Sequence, residues 1–242
     1  MTRPPGDFWD YLRRATPARI ALGRVGDGLP TARVLEFELA HARARDAVKA
    51  NLDPAALIAE LADWRPILVR SEAMDRATFL QRPDLGRRLA ENCAEKLAPG
   101  SYDATIVIAD GLSAGAVQAQ AASLFKILLA APNCVFAPPV VAIQGRVALG
   151  DEIAAMQGAT LAVVLIGERP GLATAKSLSA YMAYRPREGH SDSDRNLISN
   201  IHARGLSPED AAGRILNLAA LMMKAGTSGY TLREEMPAIG GA

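Results

Sequence analysis

VVAIQGRVALGDEIAAMQGATLAVVLIGERPGL, from Val140 to Leu172, is the stretch whose reading decides the fold. Val140 to Ile143 and Thr160 to Ile166 are apolar runs rich in β-branched residues, the signature of buried strands. Between them Asp151 to Met156 has a helical pattern closed by Gly158, so the stretch reads as a βαβ unit. Each run ends in a loop carrying glycine and charge: Gly145-Arg146-Val147 after the first, Gly167-Glu168-Arg169-Pro170-Gly171 after the second. Ligands of open parallel sheets sit outside the carboxyl ends of the strands, which makes these loops the expected place for one.

Outward from this unit the same texture continues. Ala104 to Ile108 reads as a buried strand, Asp110-Gly111-Leu112-Ser113 as its turn and Ala114 to Ala130 as a helix free of proline. Downstream come an apolar run from Ser179 to Tyr184, a polar loop, and a short run from Leu197 to Ile201. Ser207 as N-cap, Pro208 next, Glu209 and Asp210 in the first turn, a stripe of Ile215, Leu218, Leu221 and Met222, and a closing Gly226 signal the last helix. Alternating strands and helices predict an α/β fold with a doubly wound, mainly parallel sheet.

Upstream, the first 65 residues read as a smaller helical region, with residues 66–242 forming the α/β domain. Phe8 to Thr16 is a short helix, and Thr31 precedes a long one in which Val34, Phe37, His41, Ala44 and Val48 share a face. That spacing makes His41 a packed core residue. The opposite face, with Arg33, Arg43, Arg45 and Lys49, is either solvated or a docking surface for an acidic partner. Asp53-Pro54 starts another helix, Ile67 to Val69 a strand, and Arg82-Pro83-Asp84 a helix reaching Leu97. Within that last helix Arg87 and Arg88 either face water or donate to an anionic group.

Composition narrows the function. Lys and Arg total 27 against 26 Asp and Glu, so the net charge of +1 gives no general argument for nucleic acid or an anionic membrane. Cys93 and Cys134 match no metal-ligand spacing and read as buried reduced thiols, while the N-terminus lacks a signal-peptide core, so a soluble cytoplasmic protein is expected. No GK[ST] P-loop, HExxH or strand-borne GxGxxG is present, and His41, His190 and His202 are scattered on different elements. Strand-end loops with neutral and mildly charged groups suit a large polar cofactor whose rim needs hydrogen bonds. Glu168, flanked by glycines, accepts from such a rim, caps a following helix or pairs with Arg169; Asp110 contacts a ligand or simply serves its turn. The rivals are a stand-alone nucleotide-binding enzyme, disfavoured by the missing glycine fingerprint, and a non-catalytic scaffold.

A series of long motifs then carries a resemblance: RRATPARIALGRVGDGLPT, HARARDAV, RPDLGRRL, ADGLSA, QGRVALGDEI, LIGERPGL, SLSAYMAYRPR and DRNLISNIHARGLSPEDAA, in one order from about Leu12 to Gly229. The chain resembles the small subunit of ethanolamine ammonia-lyase. The resemblance implies a Rossmann-like domain behind a helical N-terminal portion, and a large subunit that carries the substrate site. It further implies adenosylcobalamin held between the two, and radical conversion of ethanolamine to acetaldehyde and ammonia. Carried over by motif, cobalamin contacts fall on Val147 in QGRV, Glu168 in GERP and Leu197 in RNLIS. Relatives can have cysteine in place of Leu197, so a thiol role lapses here and a backbone contact remains. No histidine of this chain lies in the Asp-x-His-x-x-Gly pattern that supplies a protein ligand to cobalt, so the cofactor's own base is expected to keep that position. The chain starts close to the first shared motif, without the long N-terminal extension of some relatives; the expectation is free cytoplasm, with a bacterial microcompartment as the alternative.

Overall fold

A computed structural model describes residues 8–16, 18–132, 134–230 and 232. Its centre is a six-stranded sheet, with β1 (Ile67–Arg70), β2 (Tyr102–Ala109), β3 (Val140–Ile143), β4 (Ala159–Gly167), β5 (Leu178–Tyr184) and β6 (Asn196–Ile201) in the order β1-β3-β2-β4-β5-β6. β1, β3, β2 and β4 run parallel, as expected of strands that are apolar on both faces. β5 and β6 then pair antiparallel, so the sheet is mixed rather than a doubly wound parallel one. The reason lies after Gly167: no helix separates β4 from β5, and without a crossover element the chain has to reverse direction along the neighbouring strand.

Helices cover both faces. α6 (Ala114–Leu129) joins β2 to β3 and packs on α8 (Pro208–Ala225), and both share a core with Ile106, Ile108, Leu165, Leu178 and Met182. α7 (Val147–Gln157) joins β3 to β4 on the other face, crossing β2, so the two strands of the Val140–Leu172 unit are not neighbours. Its Leu149 and Ile153 are fully buried against Val107, Ala109, Val164 and Ile166. Burial on that scale is worth about 1.5–3 kcal/mol for each side chain. α8 is capped as its sequence predicts: the Ser207 hydroxyl accepts from the Asp210 amide, and Gly226 closes the helix in the left-handed conformation.

The N-terminal helices differ from expectation. α1 (Phe8–Ala15) buries nothing, and α2 (Thr31–Lys49) packs on α6 while burying only Ala44. His41 is therefore exposed rather than core, stacked on Phe37 with centroids 6.3 Å apart. The first turns of α2 lack a surface to pack on, which leaves Leu35, Phe37 and Leu39 exposed. α3 (Pro54–Glu60), capped by Asp53, sends Leu57 into the main core. The helix expected from Arg82 to Leu97 is broken up. α4 (Arg76–Gln81) ends before it, a single 3₁₀ turn spans Leu85–Arg87, and α5 (Glu91–Ala94) is one turn long. Pro83 forces the preceding residue out of helical geometry, and Gly86 is pressed on the Phe79 ring, where an added Cβ would lie 2.9 Å from a ring carbon. Among the described residues no helix is long and apolar enough to cross a membrane.

The exits of β2 and β4 touch backbone to backbone. Leu112 donates to the Gly167 carbonyl at 2.9 Å, and a Cβ on Gly167 would stand 2.1 Å from the Ser113 carbonyl oxygen. No rotamer change relieves a clash with backbone. Gly167→Ala should therefore cost at least the roughly 1–3 kcal/mol typical of overpacking, read as a lower urea midpoint; an unchanged midpoint would show that the two turns do not depend on this approach.

Candidate functional site

The expected crevice at the parallel strand ends is filled by protein. Adjacent strands β2 and β3 send their helices to opposite faces, which normally opens a gap between their carboxyl ends. Here Arg76 of α4 occupies it: Nη1 donates to the Gly111 carbonyl at 2.8 Å and lies 3.3 Å from Asp110 Oδ2, while Nε donates to the Val48 carbonyl of α2 at 2.8 Å. Asp110 is fully buried, and its Oδ1 accepts the Gly145 amide at 3.0 Å. Asp110 thus serves the fold, not a ligand.

Open space lies to the side, where α7 ends and the sheet continues. On one face of β5 and β6, Leu178, Ala180, Met182, Ile198 and Ile201 are buried under α6 and α8. Strand alternation puts Ser179, Tyr181, Leu197 and Ser199 on the other face, and there Leu197 remains 48% exposed. A cleft of about 500 Å³ forms over this face. All three residues carried over by motif line it: Val147 from the first turn of α7, Glu168 from the turn after β4, and Leu197 from β6 opposite Tyr181. Val147 is not in a strand-end loop as the sequence reading had it, since α7 starts there, and Leu197 lies within β6, which starts at Asn196. They meet because α7 and β6 border the same uncovered strip of sheet.

Glu168 makes neither of the bonds expected of a bystander. It caps no helix and forms no ion pair with Arg169; the Ser179 hydroxyl donates to its Oε1, and the Asn200 amide donates to the same oxygen at 2.9 Å. Asn200 needs that anchor because it sits in the left-handed region at φ 64°. Oε2 accepts no hydrogen bond from the described residues, which leaves one carboxylate oxygen for a ligand. Phe79, Ile166 and Tyr181 supply apolar wall, and the Tyr181 hydroxyl is pushed above its ordinary pKa by burial and by Asp192 and Glu168.

Arg146 sits at the corner. Nη2 donates to the Phe79 carbonyl at 3.0 Å, its guanidinium carbon is 4.6 Å from the Phe79 ring centre, and its Nε is buried without a partner. Burial lowers its pKa, and the charges acting on it, Arg87, Arg76 and Arg169, lower it further. Sequence reading quoted Arg146 without singling it out and missed Arg76, Phe79 and Tyr181 altogether. Tyr181 had a signal, as the polar-faced position of an alternating strand; Arg76 and Phe79 lie on a short helix that periodicity over six residues cannot reveal.

Comparison with known proteins gives the family. The model of the ethanolamine ammonia-lyase light chain (EutC) matches residues 6–233. The chain belongs to the ethanolamine ammonia-lyase light-chain family. It is 47% identical to the ethanolamine ammonia-lyase small subunit of Xanthomonas campestris pv. campestris strain B100, covering 97% of this chain and 90% of that one. Against the small subunit of Rhodopseudomonas palustris strain BisA53 identity is 48%, over 97% and 94% of the two chains. Against that of Pseudomonas syringae pv. tomato it is 46%, over 96% and 84%. In this light chain, then, the open cleft lies on the α7 side of β5 and β6, beside the filled crevice.

The filled crevice predicts a pH signature. Burial pushes the Asp110 carboxyl from 3.8 up to about 6, against the opposing pull of Arg76 and backbone N–H donors. Between those values the folded chain keeps a proton that the unfolded chain has released. This carboxyl therefore favours the fold most below 3.8, progressively less as pH rises to about 6, and equally little above that. The melting temperature of the native chain minus that of Asp110→Asn should fall across this window and then level off. A difference that is flat with pH would mean that the buried carboxyl titrates as it does in the unfolded chain.

Proposed function

We propose that this chain is the small subunit of an adenosylcobalamin-dependent ethanolamine ammonia-lyase, which holds the cofactor against a large subunit carrying the substrate site. The observation behind the proposal is the convergence of Val147, Glu168 and Leu197, from three separate elements, on one open cleft. The complex would convert ethanolamine to acetaldehyde and ammonia. Adenosylcobalamin, when bound, supplies radical chemistry that side chains cannot.

The residues present suit such a group. A corrin is a broad ring with an apolar face and a rim of neutral carboxamides. Val147, Leu197 and Ile166 offer apolar contact, while Glu168 Oε2 and the hydroxyl of Ser199 meet amide hydrogens. The Val147 and Ala148 amides at the start of α7, which lie ahead of the first intrahelical bonds, can donate to amide oxygens. This chain's part is to bind and orient the cofactor and keep water from its rim. Among the described residues no group of three or more His, Cys, Asp or Glu side chains is placed to hold a metal ion.

Glu168 separates binding from folding. Glu168→Gln keeps an oxygen for Ser179 and Asn200 and removes the charge, whereas Glu168→Ala also frees the tip of β6. Loss of one charge-assisted bond is worth about 1.5–3 kcal/mol, so both variants should weaken cobalamin binding by the assembled enzyme roughly ten- to a hundredfold, and only Glu168→Ala should lower the melting temperature as well. Cobalamin affinity unchanged in both would remove Glu168 from the site. Partner dependence has its own assay: with adenosylcobalamin and ethanolamine, the purified chain should release no acetaldehyde, and co-expression with the large subunit should restore release.

A further inference from the structure

Between β6 and α8 the chain closes on itself over residues 200–206. The Leu206 amide donates to the Asn200 carbonyl at 2.9 Å, the His202 amide to the Leu206 carbonyl at 3.1 Å, and the Gly205 amide to the His202 carbonyl at 2.8 Å. Position 205 admits only glycine, because a Cβ there would lie 2.3 Å from the Asn200 carbonyl oxygen and 2.8 Å from His202 Nε2. The imidazole ties the turn together. The Arg204 amide donates to His202 Nδ1 at 3.2 Å, so Nδ1 is the acceptor of the ring and Nε2 carries its proton. Nε2 in turn donates to Asn200 Oδ1 at 2.8 Å. Two more bonds leave the turn, and both end on the segment that carries Glu168: the Asn200 amide reaches Glu168 Oε1 at 2.9 Å, and Arg204 Nη2 donates to the Ala173 carbonyl at 2.9 Å. The same segment is held from other elements, its Ala175 and Lys176 carbonyls accepting from the Ser113 hydroxyl at 2.7 Å and from Gln120 Nε2 at 2.8 Å.

We propose that His202 is a positioning residue for the cofactor site: its Nε2–H holds the Asn200 side chain, and through the Asn200 amide it sets the Glu168 carboxylate. The proposal rests on the cofactor reading above. A residue other than glycine stays at φ 64° only where its surroundings hold it there. Asparagine enters that region more readily than most because its short polar side chain can bond locally, and here the local donor is His202. Relaxation of Asn200 to negative φ would turn its amide away from Oε1. Glu168 would then keep only the Ser179 hydroxyl, and its carboxylate would be free to rotate. Neither His202 nor Asn200 lines the cleft that Val147, Glu168 and Leu197 share, so an effect of His202 on the cofactor has to pass through Glu168.

The test is a visible-absorbance titration with cyanocobalamin on the enzyme assembled from this chain and its large subunit. His202→Asn keeps an acceptor for the Arg204 amide but is too short to reach Asn200, and should weaken binding roughly two- to tenfold, the worth of one neutral hydrogen bond. His202→Gln, whose amide N–H extends about as far as Nε2, should restore native affinity. Asn200→Gly tolerates the positive φ, so it keeps the turn while deleting the side chain that His202 holds, and should weaken binding as much as His202→Asn. A double-mutant cycle separates positioning from a general structural role: beside Glu168→Ala, His202→Asn should cause no further loss, since the group it positions is gone. Unchanged affinity in both His202→Asn and Asn200→Gly, an equal loss in His202→Gln, or a His202→Asn loss that persists in full beside Glu168→Ala would overturn the proposal and leave Glu168 in the site. Failure of the native complex to bind cyanocobalamin would overturn the cofactor reading and this proposal with it.

Discussion

The guanidinium of Arg76 closes the gap between β2 and β3, and the placement of everything else follows from that plug. It joins the Val48 carbonyl at the end of α2, the Gly111 carbonyl after β2 and the Asp110 carboxylate, and its central carbon lies 4.8 Å from the Phe79 ring centre. Burial lowers the Arg76 pKa and raises that of Asp110, so the pair is held in place against its own desolvation. Buried pairs of this kind contribute little net stability; what they contribute is a defined geometry. Here the geometry sets Phe79 and, through the Phe79 carbonyl and ring, Arg146. With the strand-end crevice filled, the available surface lies past β4, on β5 and β6.

That displacement explains which parts of the sequence were legible. The β2, β3 and β4 runs, α6 and the capped α8 could be read because each combines a strong period with an unambiguous end, such as Ser207-Pro208 or Gly158. The reversal at Gly167 could not, since a strand that follows a strand carries the same alternation whichever way it runs. His41 was misplaced for a related reason. Periodicity shows that a face is apolar; it does not show that another element is there to cover it, and α2 outruns the body it packs on. Arg82 to Leu97 failed because Pro83 and the Gly86 contact with Phe79 act through tertiary crowding that no local pattern records.

For the site, single residues were legible and their meeting was not. Glu168 stands out in any reading, as a carboxylate between a strand-ending glycine and a proline-glycine turn. Val147 and Leu197 have no chemistry that would mark them without the family resemblance. The fold gives them a common surface through two independent facts: α7 covers β2 and β4, and β6 pairs beyond β5 in a register that sets Leu197 opposite Tyr181. Neither fact is local in sequence.

The Glu168 carboxylate then links folding to binding at the edge of that surface. Asn200 is held at positive φ and its amide needs an acceptor; Oε1 provides it and fixes the end of β6, on which Ser199 and Leu197 are carried. The same group lines the cleft, and its Oε2 accepts no hydrogen bond from the described residues. A ligand that donates to Oε2 therefore acts on a carboxylate whose position is already set by Ser179 and Asn200, and little side-chain entropy remains to be lost on binding. Preorganisation of this sort puts rigidity at the rim of the cleft before any ligand arrives.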